Sequence, residues 1–248
     1  NMPTPTRKLL ASVSKNTTPK KECWKITASF TASCSMKQTD LALRPATESD
    51  LNAVVAVHQQ AFKGFLMTLL GPRFLKGYYQ CVLEYRQPIF HVAEYNGRVV
   101  GFVAGFVNPP RFYEMLRQRK KNLALAAASH LVWRPHLWRR ALSSLRRAET
   151  IALETDMPSL AELASLGVGP NAQGRGIGKR LVFAFLKTAA QQGVREVVLT
   201  TDAHNNDTVN AFYQKLGFVC TRQFWHTPNR LMNEYRLTLE QVELERQR

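Results

Sequence analysis

Between residues 173 and 179 the chain reads Gln173-Gly-Arg-Gly-Ile-Gly-Lys179, with glycine at every second position. Glycine admits positive φ and leaves no side chain in the way. Where such a run opens a helix, unpaired N–H groups point together at an anion. Glycines 174, 176 and 178 are each expected to supply that freedom, and a pyrophosphate is the natural guest. Arg175 and Lys179 would reinforce it, with the backbone doing most of the positioning.

Three ligand frames use glycine turns. A dinucleotide fingerprint needs G-x-G-x-x-G in a strand–helix–strand unit, with an acidic residue about 20 positions on. The spacing here, Gly174-x-Gly176-x-Gly178, departs from it. A P-loop needs G-x-x-x-x-G-K-[ST], which is absent. The third frame is pantetheine pyrophosphate, and it would span Val168-Gly-Pro-Asn-Ala-Gln-Gly-Arg-Gly-Ile-Gly-Lys-Arg-Leu181. Downstream, Asn206 precedes Tyr213 by seven residues, and Lys215-Leu-Gly-Phe218 follows. Tyr213 offers a phenol that is a proton donor at neutral pH; its structural alternative is a core tyrosine on an amphipathic helix. Asn206 either holds a ligand or caps the helix that starts at Asp207. His204 has no Ser or Cys nucleophile motif beside it, and a surface or substrate-contact role suits it better. The six histidines show no ligand spacing with Cys or carboxylates, so no metal is expected.

The two motifs together resemble the GNAT superfamily of N-acetyltransferases. That family's turn, Q/R-x-x-G-x-G/A between its fourth strand and third helix, is matched by Gln173, Gly176 and Gly178; its second pattern is matched by Asn206, Tyr213 and Lys215-Leu-Gly-Phe218. The good match covers residues 160–220. The resemblance implies an acetyl-CoA donor held by Gln173, Gly174, Arg175, Gly176, Ile177, Gly178, Lys179 and Asn206. It implies that backbone groups of Leu166 and Val168 bond the pantetheine amides, with the Val168 N–H polarising the thioester. It makes Tyr213 the general acid for the leaving thiolate. Some members place a general-base glutamate where Glu162 stands, acting through a water. Strand alternation would put Glu162 on one face with Ala164, Leu166 and Val168. Its alternative is a solvated strand-end carboxylate; Glu154 and Asp156 are weaker substitutes.

The elements that must hold these residues are legible as a pattern. Leu41–Pro45 reads as a strand. Thr47 is a plausible cap for a helix in which Leu51, Val54, Val55 and His58 recur at helical spacing. A second helix is expected from Gly71-Pro72 to Arg86. Ile89–Tyr95 and Arg98–Val107 read as strands joined at Asn96-Gly97, a strong hairpin signal. Two helices broken near Arg134-Pro135 are expected over 111–148. A strand at Glu162–Val168 follows, then the turn, a helix to Gln192, a strand at Glu196–Thr201, a helix at Asp207–Leu216 ended by Gly217, and a strand pair at Phe218–Trp225 and Leu231–Leu237. The order predicts an α+β domain. With the resemblance it becomes a GNAT fold: a central, mixed but mostly antiparallel twisted sheet flanked by helices, with a helical insertion between the third and fourth strands.

The domain is expected over 40–240, after a basic Ser/Thr/Lys-rich arm at 1–39 and before a tail at 241–248. The formal charge is +16 over 248 residues, and its distribution matters. Residues 1–39 carry seven Lys/Arg against one Glu, and 111–149 carry ten against two. The basicity thus belongs to two appendages, and the segment with the motifs is nearly neutral. Four scattered cysteines without a CxxC pair argue against a zinc site or disulfide framework. A reduced, cytoplasmic setting is the default. The longest apolar run, Leu123–Trp133, is too short to span a bilayer, and no secretory signal is expected.

The insertion has three readings: a helical hairpin with a solvated charged face, a wall for an anionic acceptor such as a nucleotide-linked amino sugar, or a surface for anionic lipid or nucleic acid. Arg139 and Arg140 are candidate acceptor-binding residues, since guanidinium bonds phosphate in pairs. The expected activity is transfer of acetyl to a small-molecule primary amine in a ternary complex. Alternatives are protein or peptide N-acetylation, or a non-catalytic module binding polyanions through its basic appendages.

Overall fold

The computed structural model describes residues 41–131, 156–226 and 230–239. The arm at 1–39, the tail at 241–248, the break at Arg134-Pro135, Glu154, Arg139 and Arg140 lie outside the described residues.

Seven strands form one sheet in the order β1-β2-β3-β4-β5-β7-β6. They are β1 (Leu41–Pro45), β2 (Pro88–Tyr95), β3 (Arg98–Val107), β4 (Leu160–Val168), β5 (Glu196–Asp202), β6 (Val219–His226) and β7 (Arg230–Thr238). Only β4 and β5 pair in parallel; every other neighbouring pair is antiparallel. The mixed, mostly antiparallel α+β sheet is thus as expected. The hairpin at Asn96-Gly97 has φ of 49° and 72° at its two residues, the positive pair that a two-residue hairpin turn demands.

Helices cover both faces. Helix α1 (Leu51–Ala61), the short α2 (Leu66–Leu69), α3 (Pro72–Leu83), α4 (Pro109–Gln118) and α5 (Lys120–Leu131) precede β4; α6 (Ile177–Gln191) and α7 (Asp207–Lys215) follow it. One core packs α6 and α7 against the sheet through Leu181, Phe185, Leu186, Tyr213 and Tyr235. The other lies on the opposite face under α1 and α3, through Leu51, Val54, Leu75, Tyr79, Phe102 and Phe106. Leu51, Val54, Val55 and His58 are all buried, as their spacing implied.

Boundaries moved where local chemistry decides. Helix α1 begins only at Leu51, because residues 48–50 form a 3-10 turn. The Asp50 carboxylate there accepts from both the Thr47 N–H and the Thr47 hydroxyl at 2.8 Å. Helix α3 stops at Leu83, three residues short of Arg86. The insertion bends at Arg119 within 109–131, where Arg119 leaves the helical region and pairs with Glu84 of the end of α3. Leu123 and Ala127 of α5 are buried, and a Cβ on Gly77 of α3 would come within 3.1 Å of Leu123. The described part of the insertion therefore docks on its own domain. No helix among the described residues is long and apolar enough to cross a membrane.

Candidate active site

The sheet forks at its parallel pair. Strands β4 and β5 are in register only at Leu160↔Glu196, Ala161↔Val197 and Glu162↔Val198. Beyond these rungs β4 continues along β3 to Val168, and β5 continues along β7 to Asp202. The Gly169 N–H donates to the Val100 carbonyl of β3 at 2.9 Å. Strand alternation then turns the backbone groups of Val168 and Leu166 the other way, into the fork. The Val168 carbonyl accepts from Gln173 Nε2 at 3.2 Å, so this side chain ties the turn to the fork's edge.

At the fork's mouth the chain makes a 3-10 turn (Pro170–Ala172) and enters α6. Gly174 and Gly176 have φ of 75° and 72°. A Cβ built on either would meet nothing of the protein within 4 Å. The N–H groups of Gly176, Ile177, Gly178 and Lys179 have no backbone partner among the described residues. Together they form an open, cationic helix start. Gly178 departs from expectation: its φ is not positive, because it already lies in the first turn of α6. Its missing Cβ instead faces Phe212 at 3.6 Å and Val168 at 3.9 Å, across the fork. Lys179 Nζ lies 5.6 Å from the centre of the Phe183 ring.

Tyr213 stands on α7 with its ring among Phe212, Phe218 and Tyr235. It is 6% exposed, and burial pushes its phenol well above the ordinary range. Its hydroxyl has no hydrogen-bond partner among the described residues. A neutral phenol with an unused proton is what a general acid requires. Asn206 does not cap α7 with its side chain; its Nδ2 donates to the Asp202 carbonyl at 3.4 Å, and its backbone carbonyl accepts from Val209 and Asn210. The capping alternative fails because Asn210, one turn on, also donates to the Asp202 carbonyl, at 3.1 Å, and the two amides hold the end of β5 instead.

Glu162 sits at the last rung before the strands part, but not on the face that simple alternation predicted. Register along β3 jumps between Ala104↔Ser165 and Gly105↔Leu163, so Ala164 is an extra residue, a β-bulge. Ala164 packs with the core under α1 and α3, whereas Leu166 and Val168 pack with the core under α6. Glu162 therefore shares a side with Ala164 and Ser165, not with Leu166 and Val168. Its Oε1 accepts from the Tyr113 hydroxyl of α4 at 2.9 Å. Asp156, the weaker substitute, is taken up by Arg111 at 2.6 and 2.9 Å.

Two features escaped the sequence. Tyr113 meets Glu162 from 49 positions away, and nothing in its local pattern marks that pairing. The bulge leaves a trace only in Gly105 opposite, where a Cβ would lie 2.0 Å from the Glu162 carbonyl; an isolated strand glycine is the available signal for such a site. Near the fork, His58 Nδ1 lies 2.6 Å from the Tyr79 hydroxyl. His58 is not a base in waiting, since burial lowers its pKa to about 4. A cleft of about 480 Å³ lined by Arg44, Glu94, Arg98 and Asn171 opens on the α1 side of the same turn, apart from the fork. Among the described residues no group of three or more His, Cys, Asp or Glu is placed to hold a metal ion.

A mixed sheet forked at its parallel pair, with an N–H-lined helix start at the fork's mouth, is the architecture of the N-acetyltransferase fold. Solved structures share it. Ard1 from Thermoplasma volcanium superposes with a TM-score of 0.53 at 16% identity, covering 81% of this chain and 99% of that one. A putative acetyltransferase from Salmonella typhimurium, solved with its cofactor acetyl-CoA, superposes with a TM-score of 0.51 at 17% identity, covering 82% and 96%. A model of the acetyltransferase (GNAT) family matches residues 58–218, and the chain belongs to that family. Among curated relatives, a mycothiol acetyltransferase of Paenarthrobacter aurescens (strain TC1) is 48% identical over 62 residues, which is 25% of this chain and 19% of that protein. The matched stretch is thus about a fifth of that relative's length.

Proposed function

We propose that the protein transfers an acetyl group from acetyl-CoA to a primary amine. The observation that carries this reading is the fork between β4 and β5 opening onto unpaired N–H groups at the start of α6. The residues fit the cosubstrate: the Cβ-free faces of Gly174 and Gly176 leave room for a pyrophosphate, and the backbone of Leu166 and Val168 is turned to receive the amides of a pantetheine arm. Acetyl-CoA supplies the thioester whose acetyl group is transferred.

The chain's residues divide the remaining work. An arm anchored at 173–179 runs back along β4, passing Val168 before Leu166. The N–H that stands beside the thioester carbonyl is then that of Leu166, in place of the Val168 N–H that the resemblance implied, and Val168 bonds the arm nearer the turn. An alkylammonium has a pKa of about 10 and must lose a proton before its nitrogen can attack. Glu162, at the root of the fork, accepts that proton. It lies four residues before Leu166, about 13 Å along β4 at about 3.3 Å per residue, so a chain of waters carries the proton. Tyr213 gives its proton to the departing thiolate sulfur and regains one from solvent.

The acceptor in this reading is a small amine with an anionic part, such as a nucleotide-linked amino sugar. The excess charge of the insertion's sequence supports it, and the described helix α5, which carries Lys120 and Lys121, docks on α3. Arg111 and Arg119 are engaged by Asp156 and Glu84. Recognition would therefore fall to others, Arg139 and Arg140 among them. The test is CoA release from acetyl-CoA against a panel of free amines, amino sugars and their phosphorylated or nucleotide-linked forms. Turnover with none of them, by protein that binds CoA, would overturn the reading.

A further inference from the structure

Helix α7 carries Tyr213 on a narrow seat. Of its nine residues only Asn210 and Tyr213 are buried. Tyr213 contributes ring contacts to Phe212, Phe218 and Tyr235, and apolar contacts set depth without fixing direction. Direction comes from Asn210. Thr201 of β5, Asn233 of β7 and Gln223 of β6 stand opposite one another in a single row across three strands. Gln223 Nε2 donates to Asn233 Oδ1 at 2.8 Å, which turns the Asn233 amide so that its Nδ2 donates to Asn210 Oδ1 at 3.3 Å. The Thr201 hydroxyl donates to the same oxygen at 2.6 Å. Asn210 Nδ2 in turn donates to the Asp202 carbonyl at 3.1 Å. Thr201, Asn210 and Asn233 are all buried, so the amide is paired at both ends where water cannot replace its bonds.

We propose that Asn210 is a positioning residue for Tyr213: its amide locks the rotation and axial setting of α7 and so places the phenol at the sulfur of the departing thiolate. The inference rests on Tyr213 being the acid of the proposed reaction. Asn210 and Tyr213 lie three positions apart, on one face of the helix. Asn210 seats on the row of Thr201 and Asn233. Tyr213 meets Tyr235, which pairs with Leu199 in the next row on that face, with ring centres 6.4 Å apart. A helix that slid or turned on this seat would break the three Asn210 bonds and carry the phenol with it. Gln214, the next residue, adds only a 3.4 Å contact to the Tyr235 hydroxyl. The phenol must come within about 3 Å of the sulfur, and a misplacement of about 1 Å costs up to about 10²-fold. An amphipathic helix would ordinarily fill a buried position with an apolar residue; a buried asparagine serves register instead, as it does in coiled coils.

The experiment is a double-mutant cycle over the parent, Asn210→Ala, Tyr213→Phe and the pair. Single-turnover rates with acetyl-CoA and an accepted amine read the chemical step, at a temperature where circular dichroism shows all four folded. Asn210→Ala is expected to lower the rate about tenfold and Tyr213→Phe about 10²-fold, with acetyl-CoA affinity changed less than about threefold in each. In the pair, Asn210→Ala is expected to add less than about twofold to the loss from Tyr213→Phe, since no phenol is left to place. Thr201→Val removes one of the three bonds and leaves Asn210 itself, so it carries the same cycle should Asn210→Ala not fold. Thr201→Ser keeps the hydroxyl and is expected to react at the parent rate. Losses that multiply, to about 10³-fold in the pair, overturn the positioning role and leave the acid in place. Parent rates in both Asn210→Ala and Thr201→Val do the same. A parent rate in Tyr213→Phe overturns the acid and the positioning role with it.

Discussion

Replacing Gly176 by valine probes the turn with unusual clarity, because the structure separates strain from packing. Gly176 holds φ at 72°, and a Cβ there would touch nothing of the protein within 4 Å. Any stability cost is therefore conformational. A β-branched residue in the left-handed region costs about 1–3 kcal/mol, and each kcal/mol lowers the melting temperature of a domain this size by about 2–4 °C. If the chain instead relaxes to a negative φ, the N–H groups of 176–179 lose their common direction. Losing two bonds to a phosphate, at about 1.5–3 kcal/mol each, weakens binding by about 10²–10⁴-fold. Calorimetry with CoA and a thermal melt on the same sample read both terms. Gly178→Ala is the control, since its φ is ordinary and its Cβ meets only van der Waals contacts in the protein. Unchanged CoA affinity in Gly176→Val would show that the turn does not hold the pyrophosphate.

Tyr213→Phe is expected to cut turnover about 10²-fold while acetyl-CoA affinity and melting temperature hold, because the hydroxyl makes no bond in the described structure that the variant would lose; unaltered turnover, with chemistry rate-limiting, would pass the acid role to water or another group. His58 has its pKa lowered to about 4 by burial, so the unfolded chain, near 6.5, binds the extra proton first. Its contribution is complete above pH 6.5 and is lost as pH falls towards 4, by up to about 3 kcal/mol. The partly buried His91 shifts the same way, so the check is a urea midpoint that falls from pH 7 to 5 more steeply in the parent than in His58→Gln. Equal slopes would contradict it. Arg139→Gln with Arg140→Gln is expected to raise the acceptor KM and leave that of acetyl-CoA alone, with the effect shrinking as salt rises because exposed charges are screened over about 8–10 Å; a parent-like acceptor KM at low salt would remove both residues from the site.

The glycine turn, the asparagine–tyrosine pattern and the hairpin were legible because each is a pattern of residues close in sequence, none spanning more than two helical turns. Asn96, Gly97, Gly174 and Gly176 announce positive φ directly, and the structure has it at each of them. What the sequence hides is anything set by a partner strand. Gly178 belongs to the same run as Gly176, yet it is helical, because α6 has already begun. Asn206 has the right type and place for a cap, yet its amide serves β5, since Asp202 ends that strand with a carbonyl in reach. The insertion shows the same limit: charge and apolar spacing announced helices, while the bend at Arg119 follows from Glu84, a residue 35 positions away.

The bulge at Ala164 carries the largest functional consequence of these hidden features. Strand geometry without it would place Glu162 on the side of Leu166 and Val168, under α6, among the apolar side chains of Leu181 and Phe185. A carboxylate there would be buried without a partner, which is costly. One extra residue turns Glu162 to the other side, where Tyr113 meets it, while the backbone of Leu166 still opens into the fork. The two groups proposed for proton transfer thereby come to lie on opposite sides of the sheet. Tyr213 belongs to the core under α6 and α7, and Glu162 faces the helices that precede β4. An amine entering from the Glu162 side and a thiolate leaving towards Tyr213 need not compete for the same space. Gly105 makes the arrangement possible, because its lack of a Cβ lets the Glu162 carbonyl approach where the register shifts.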